Sequence, residues 1–175
     1  VVLCRENADG AQFGHVRVRA ATIGRVVDLG ITDANNMGAA MAPAACDTIV
    51  THLKDLARTV EDYDRIVTGD LGHFGSEMLL SLCRERGVEL AERHLDCGCR
   101  IYAPEQNVKC GGSGCGCSAV TLAAELLDGL ERGEWRRMLF LATGALLSPT
   151  ATLQGESIPG IAHAVVLERT DGGIW

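Results

Sequence analysis

Apolar and polar positions alternate through residues 15–29, as in Val16-Arg17-Val18-Arg19, and this period of two predicts a long strand. The period then lengthens. Ala44, Ala45, Thr48, Ile49, His52, Leu53 and Leu56 recur at spacings near three and four, which predicts a helix over 38–58 with Pro43 in its first turn. Residues 30–37 between them read as a loop. Further on, Asp64 to Thr68 is a short buried strand, residues 69–75 a glycine-rich turn, and Ser76 to Arg86 a helix stopped by Gly87. Residues 95–113 read as a long irregular stretch of the kind that carries function or acts as a lid. A helix over Ser118–Arg132 ends near Gly133, Met138–Ala142 is a strand, 143–160 a second long loop, and Ile161–Glu168 a last strand. At the start, Val1 to Arg5 reads as an apolar strand followed by a turn at Asn7, Asp9 and Gly10, with residues 15–29 pairing back on it. The order β-β-α-β-α-α-β-β, without internal repeats, predicts an α/β or α+β layered fold.

An apolar strand that opens the chain with no turn before it predicts a start inside a larger protein. The length of 175 residues suits one domain or one half of a two-domain protein. Apolar residues make up 47% of the chain, enough for a full core, and charged residues 22%, which excludes a disordered tail. A net charge of −7, scattered Lys and Arg, and only 4% aromatic residues exclude a nucleic-acid surface. No apolar run approaches the ~20 residues that cross a bilayer, so a soluble or peripheral chain is expected.

The eight cysteines admit a disulfide framework or reduced thiols. Cys46 and Cys83 lie inside apolar helical patterns, where a free Cys acts as a small buried hydrophobe, and a reduced intracellular chain is the favoured reading. Cys97-x-Cys99 and Cys115-x-Cys117, near Cys110 and His94, have single-residue spacing. Structural zinc sites use two or more intervening residues, so no metal ligands are assigned.

Three loops hold the candidate chemistry. Thr68-Gly69-Asp70-Leu71-Gly72-His73 follows a strand and precedes a helix, the place where open α/β sheets bind ligands. Asp70 there either meets a ligand or cation or caps the turn, and His73 reads as a surface histidine. Gly111-Gly112-Ser113-Gly114-Cys115-Gly116-Cys117-Ser118 opens a helix, where backbone N–H groups can hold an anion. Tight helix–sheet packing is the other explanation of its glycines, and no Walker or dinucleotide fingerprint is present. In the third loop, 154–160, Glu156 and Ser157 either line a pocket or belong to a solvated hairpin. His163, in an apolar strand, reads as a core histidine. No Gly-x-Ser-x-Gly elbow exists for serine-hydrolase chemistry.

The stretches DANNMGAAMAPAACDTI (33–49), YDRIVTGDLGHFGSE (63–77), RHLDCG (93–98), GGSGCGCSAV (111–120) and LFLATGALLSPTATLQGESIPGIAHAV (139–165) resemble the C-terminal half of the thiolase superfamily. More closely, they resemble the stage V sporulation protein AD family. The resemblance implies a thiolase-like layered α-β-α-β-α fold of two similar halves. Residues 1–20 would be end strands of the first half and 21–175 the C-terminal thiolase-like domain. It implies a sporulation and germination role inside the forespore or spore, peripheral to the inner membrane. Dipicolinic acid, with calcium, would be the ligand. Membrane proteins of the stage V sporulation A operon would be the partners, and a homodimer is a superfamily expectation.

Condensing enzymes of the superfamily use a nucleophilic Cys from the first half, and a His and an Asn or second His from loops of the second. Thr68-Gly69-Asp70 has no His at the matching place and Gly112-Ser113-Gly114 no Asn. Without a base to activate a thiol and donors for an oxyanion, acyl transfer loses its main contributions. The expectation is therefore a non-catalytic binding site formed by Gly69, Asp70, Leu71, Gly112, Ser113, Gly114, Thr143, Glu156 and Ser157. Asp70 and Glu156 would repel a bare dianion and favour it only if calcium bridged them. The alternatives are an acyltransferase with His73 or His94 as displaced base, and a structural scaffold of the membrane complex.

Overall fold

The computed structural model describes Leu3 and residues 15–170. The strand expected at Val1–Arg5, apart from Leu3, and the turn at Asn7, Asp9 and Gly10 lie outside the described residues, as does Cys4. Five strands, β1 (Val16–Thr22), β2 (Arg65–Thr68), β3 (His94–Asp96), β4 (Arg137–Ala145) and β5 (Gly160–Arg169), form one sheet in the order β1-β5-β4-β2-β3. The pairs β1–β5 and β4–β5 are antiparallel, while β2 runs parallel to both β3 and β4. Around the sheet lie α1 (Met37–Asp55), α2 (Gly72–Glu85), α3 (Cys97–Arg100), α4 (Cys117–Thr121), α5 (Leu127–Arg132) and α6 (Pro149–Leu153). A π-helical turn, Leu122–Leu126, joins α4 to α5.

Strand alternation sorts the core into two. Ile66, Leu139, Leu141, Ala162, Ala164 and Val166 face one way and pack against α1 and α2. Val67, Met138, Phe140 and Leu167 face the other way and pack against Leu126 and Leu130. The result is a three-layer α-β-α arrangement, the α/β layered class that the pattern predicts.

Every residue of α1 from Gly38 to Ile49 is buried, so this helix has no solvent face over that span. Its Gly and Ala positions let neighbouring backbones close in. A Cβ on Gly160 would sit 2.3 Å from the Ala40 carbonyl oxygen, and one on Gly75 only 2.8 Å from Gly38 Cα. Cys46 and Cys83 are buried in this layer, as expected. Thr22 Oγ1, His52, Tyr63 Oη and Arg58 form a hydrogen-bonded chain through the interior, with His52 2.7 Å from Thr22 and 2.6 Å from Tyr63, and Arg58 donating to Tyr63 at 3.0 Å.

Several elements depart from expectation. The strand predicted over 15–29 stops at Thr22, and beyond it Val27 makes an isolated bridge to Gly160. Asp28 accepts a hydrogen bond from the Gly30 amide at 2.9 Å, and Gly30 has a φ of 76°, so local turn bonds replace the ladder. Pro43 lies inside α1, not in its first turn, because Asn36 caps the helix and starts it at Met37. The 95–113 stretch begins inside β3 and contains α3, and 143–160 contains α6, started by the Ser148 cap and Pro149. His163 is exposed and accepts from the Gly24 amide at 3.1 Å, since its strand position faces outward between buried Ala162 and Ala164.

Candidate functional site

The site grows from the end of β2. Thr68 is fully buried, and the chain must turn sharply there to enter α2. A buried carboxylate organises the turn. Asp96, 3% exposed at the end of the neighbouring strand β3, accepts four hydrogen bonds: from Thr68 Oγ1 at 2.6 Å, Leu71 N at 2.9 Å, Gly72 N at 2.9 Å and Cys99 N at 3.2 Å. Because Thr68 gives its single hydroxyl proton to Asp96, it can only accept from His94 Nε2, 3.0 Å away. Burial pushes the His94 imidazole pKa down, which favours the neutral ring in that role.

Asp70, half-buried, then ties the turn to two other loops. Its carboxylate accepts from Thr143 Oγ1 at 2.8 Å, Ser113 Oγ at 3.2 Å and Gly114 N at 3.1 Å, and its own amide donates to Thr143 Oγ1 at 3.1 Å. The glycine-rich loop is locked against the turn by backbone contacts. Gly112 N donates to Gly98 O at 2.6 Å and His73 N to Cys110 O at 3.0 Å. Gly72, with a φ of 67°, leaves no room for a side chain, since a Cβ would meet Cys110 O at 2.1 Å.

These loops wall a cleft of about 140 Å³. Asp70, Leu71, Gly112 and Ser113 line it, facing Asn36 and Gly38 at the start of α1, with Phe74 and Cys110 completing the wall. The amino ends of α1 and α2, helices of 19 and 14 residues, thus open onto one space. Each carries the positive end of a helix dipole and first-turn amides, and first-turn amides are natural donors to an anion. Neither helix has an acidic residue in its own first turn, but at α2 the Asp96 carboxylate already takes the Leu71 and Gly72 amides.

Among the residues expected at a site, Gly69, Asp70, Leu71, Gly112, Ser113, Gly114 and Thr143 are brought together here. A Cβ on Gly69 would stand 2.7 Å from Thr143 Oγ1, so that contact also depends on glycine. Ser157 is engaged elsewhere and donates to Asp28 Oδ2 at 2.6 Å, a bond that, ahead of the Gly30 amide, holds the Asp28 carboxyl below its usual range. Glu156 is exposed, with its amide bonded to Ala151 O at 3.0 Å. Asp96, Asn36 and Phe74 were not singled out from the sequence. Asn36 had a readable signal, an Asn directly before a helical run, and Asp96 stands inside the stretch RHLDCG.

The model of the stage V sporulation protein AD family matches residues 4–168. The chain belongs to this family. Stage V sporulation protein AD of Bacillus subtilis strain 168 is 52% identical over 159 residues, which cover 91% of this chain and 47% of that protein. The chain therefore spans about half the length of that curated relative, and its family places it in sporulation. Among the described residues, no helix is long and apolar enough to cross a membrane.

Cys97, Cys99 and His73 stand beside the turn into α2. His73 is exposed, with Nδ1 3.5 Å from Cys99 Sγ. Burial, then the Asp96 charge, pushes the Cys99 thiol up to about 11, and the same causes push Cys97 up to about 12. Both stay protonated near neutral pH, so neither supplies a thiolate. Among the described residues, no three His, Cys, Asp or Glu side chains converge as metal ligands.

Proposed function

We propose that this chain carries the dipicolinate site of a non-catalytic subunit in the spore complex that takes up and releases dipicolinic acid. The observation that carries the reading is the cleft onto which the amino ends of α1 and α2 open, lined by Asp70, Leu71, Gly112 and Ser113. Dipicolinate is a small rigid dianion whose two carboxylates flank the ring nitrogen on one edge of a flat ring. The amino end of α1 and the positive dipole ends of both helices favour an anion without a basic side chain, although Leu71 N, Gly72 N and His73 N of the α2 end already donate to Asp96 and Cys110 O.

Calcium enters this reading as an ion brought by the ligand. A carboxylate has about four acceptor positions, and three donors already occupy Asp70. Asp70 therefore serves first to hold the loops together and has one position left for a cation. The donors present fit a calcium ion whose main ligands are the dipicolinate oxygens and water. Glu156 supplies a second carboxylate only if the 154–160 loop moves over the cleft.

The displaced-base alternative draws on the His73–Cys99 contact. In that reading the nucleophilic Cys comes from the first half, so the raised Cys99 pKa argues only against Cys99 itself serving as the thiolate. The partners proposed for this subunit are membrane proteins of the same sporulation operon and a second copy of itself, with the spore inner membrane as its location.

Calorimetric titration of dipicolinate into the protein, with and without calcium, tests the proposal. Saturable binding that weakens in Asp70→Ala and Ser113→Ala supports it. If Asp70→Ala leaves calcium-dependent binding unchanged or stronger, the calcium role is wrong. Absence of binding in both conditions, together with acyl loading from an acyl thioester, favours the acyltransferase.

A further inference from the structure

We propose that Phe74 is the specificity-determining wall of the cleft, a ring that stacks on the face of a flat aromatic ligand. The inference rests on the ligand-binding reading of the same cleft.

Phe74 is the third residue of α2 and is 51% exposed. The other phenylalanine among the described residues, Phe140, is only 7% exposed. The remaining exposed positions of α2 are polar: His73, Glu77, Ser81, Arg84 and Glu85. Phe74 alone breaks that face, and it belongs to neither of the two core clusters. A phenyl ring placed there gains little by folding, because half its surface stays in water. Its position on the cleft wall gives it a use, since it stands with Leu71 and Met37 beside Asp70 and Ser113. One cleft thus places polar groups beside a half-exposed phenyl ring. A flat conjugated ring whose substituents reach the donors can lie offset against that face, the preferred geometry for aromatic pairs. An aliphatic side chain at 74 gives equal bulk without the matching π surface.

The test compares dipicolinate affinity, in the presence of calcium, across the parent protein and Phe74→Tyr, Phe74→Leu and Phe74→Ala. The residue is exposed, so all four proteins should share one unfolding midpoint. Phe74→Tyr is expected to bind within about twofold of the parent, and Phe74→Leu and Phe74→Ala about tenfold more weakly. Proton NMR supplies a second readout: the ring protons of dipicolinate shift upfield on binding the parent and Phe74→Tyr, and this shift disappears in Phe74→Leu. If Phe74→Leu binds as tightly as the parent, the stacking proposal is overturned while the binding reading stands. If the parent itself does not bind dipicolinate, both fall together.

Discussion

Gly38→Ala probes the contact on which the cleft depends. Gly38 stands in the first turn of α1, lines the cleft and meets α2 at its amino end. A Cβ there would lie 2.1 Å from the Leu71 carbonyl oxygen, 3.1 Å from Gly75 Cα and 3.2 Å from Gly75 N. Non-bonded heavy atoms settle at about 3.5 Å or beyond, so the helix ends must part by about 1 Å. Neither neighbour is the tip of a flexible side chain, so the shift must be taken by backbone. Overpacking of this kind costs about 1–3 kcal/mol, and the upper half of that range applies here. Replacing Gly by Ala in a helix returns at most about 1 kcal/mol of propensity. The net expectation is a destabilisation of about 1–2 kcal/mol, read from urea unfolding as a lower midpoint with an unchanged slope. Gly116→Ala is the control, because a Cβ there meets nothing within 4 Å, and it should stay within about 0.5 kcal/mol of the parent. Moving Leu71 also disturbs the amide that Asp96 holds, so Gly38→Ala should weaken dipicolinate binding as well. A Gly38→Ala protein as stable as the Gly116→Ala control refutes the argument that the two helix ends meet without room for a side chain.

Other substitutions probe other parts of the account. Asp96→Asn keeps the shape but turns two hydrogens toward Thr68 or Leu71, which already donate, and leaves a buried donor unmatched. A loss of about 2 kcal/mol and faster hydrogen exchange at Leu71 and Gly72 are expected. Tyr63→Phe removes the hydroxyl that His52 and Arg58 share in a fully buried position, and should cost about 1–3 kcal/mol in unfolding free energy without changing ligand affinity. The Asp47 carboxyl is held below its usual range, first by the Arg25 hydrogen bonds at 2.7 and 2.8 Å and further by Arg86. Its folded pKa is therefore depressed, and its contribution is present above the unfolded value near ~4 and lost as pH falls through the folded one. The stability gap between the parent and Asp47→Asn should be widest near neutral pH and close in acid. A gap that persists at pH ~2 contradicts that assignment.

How far the sequence could be read depended on the kind of signal. The strands β2, β4 and β5 and the helix ending at Gly133 are legible because apolar periodicity and a glycine stop, here at a φ of 78°, are local properties of the chain. The strand β3 is not, because three residues carry no period, and His94–Asp96 become a strand only through pairing with Ile66–Thr68. The two loops around Asp70 and Ser113 are recognisable from their glycines and their place after a strand and before a helix. Asp96 is harder to find, since a buried acid is identified by the amides that surround it, and Leu71, Gly72 and Cys99 reach it from both directions along the chain. The outward position of His163 depends on register, which apolar neighbours on both sides in sequence conceal.

Chemical-shift mapping of backbone amides during titration with dipicolinate and calcium tests the central claim most directly, because it reports both binding and its place. The account predicts saturable shifts concentrated at Gly38, Leu71 to Phe74 and Gly111 to Ser113, the amides that border the cleft between the ends of α1 and α2. Saturable shifts confined to other segments, or none at millimolar dipicolinate, would contradict it.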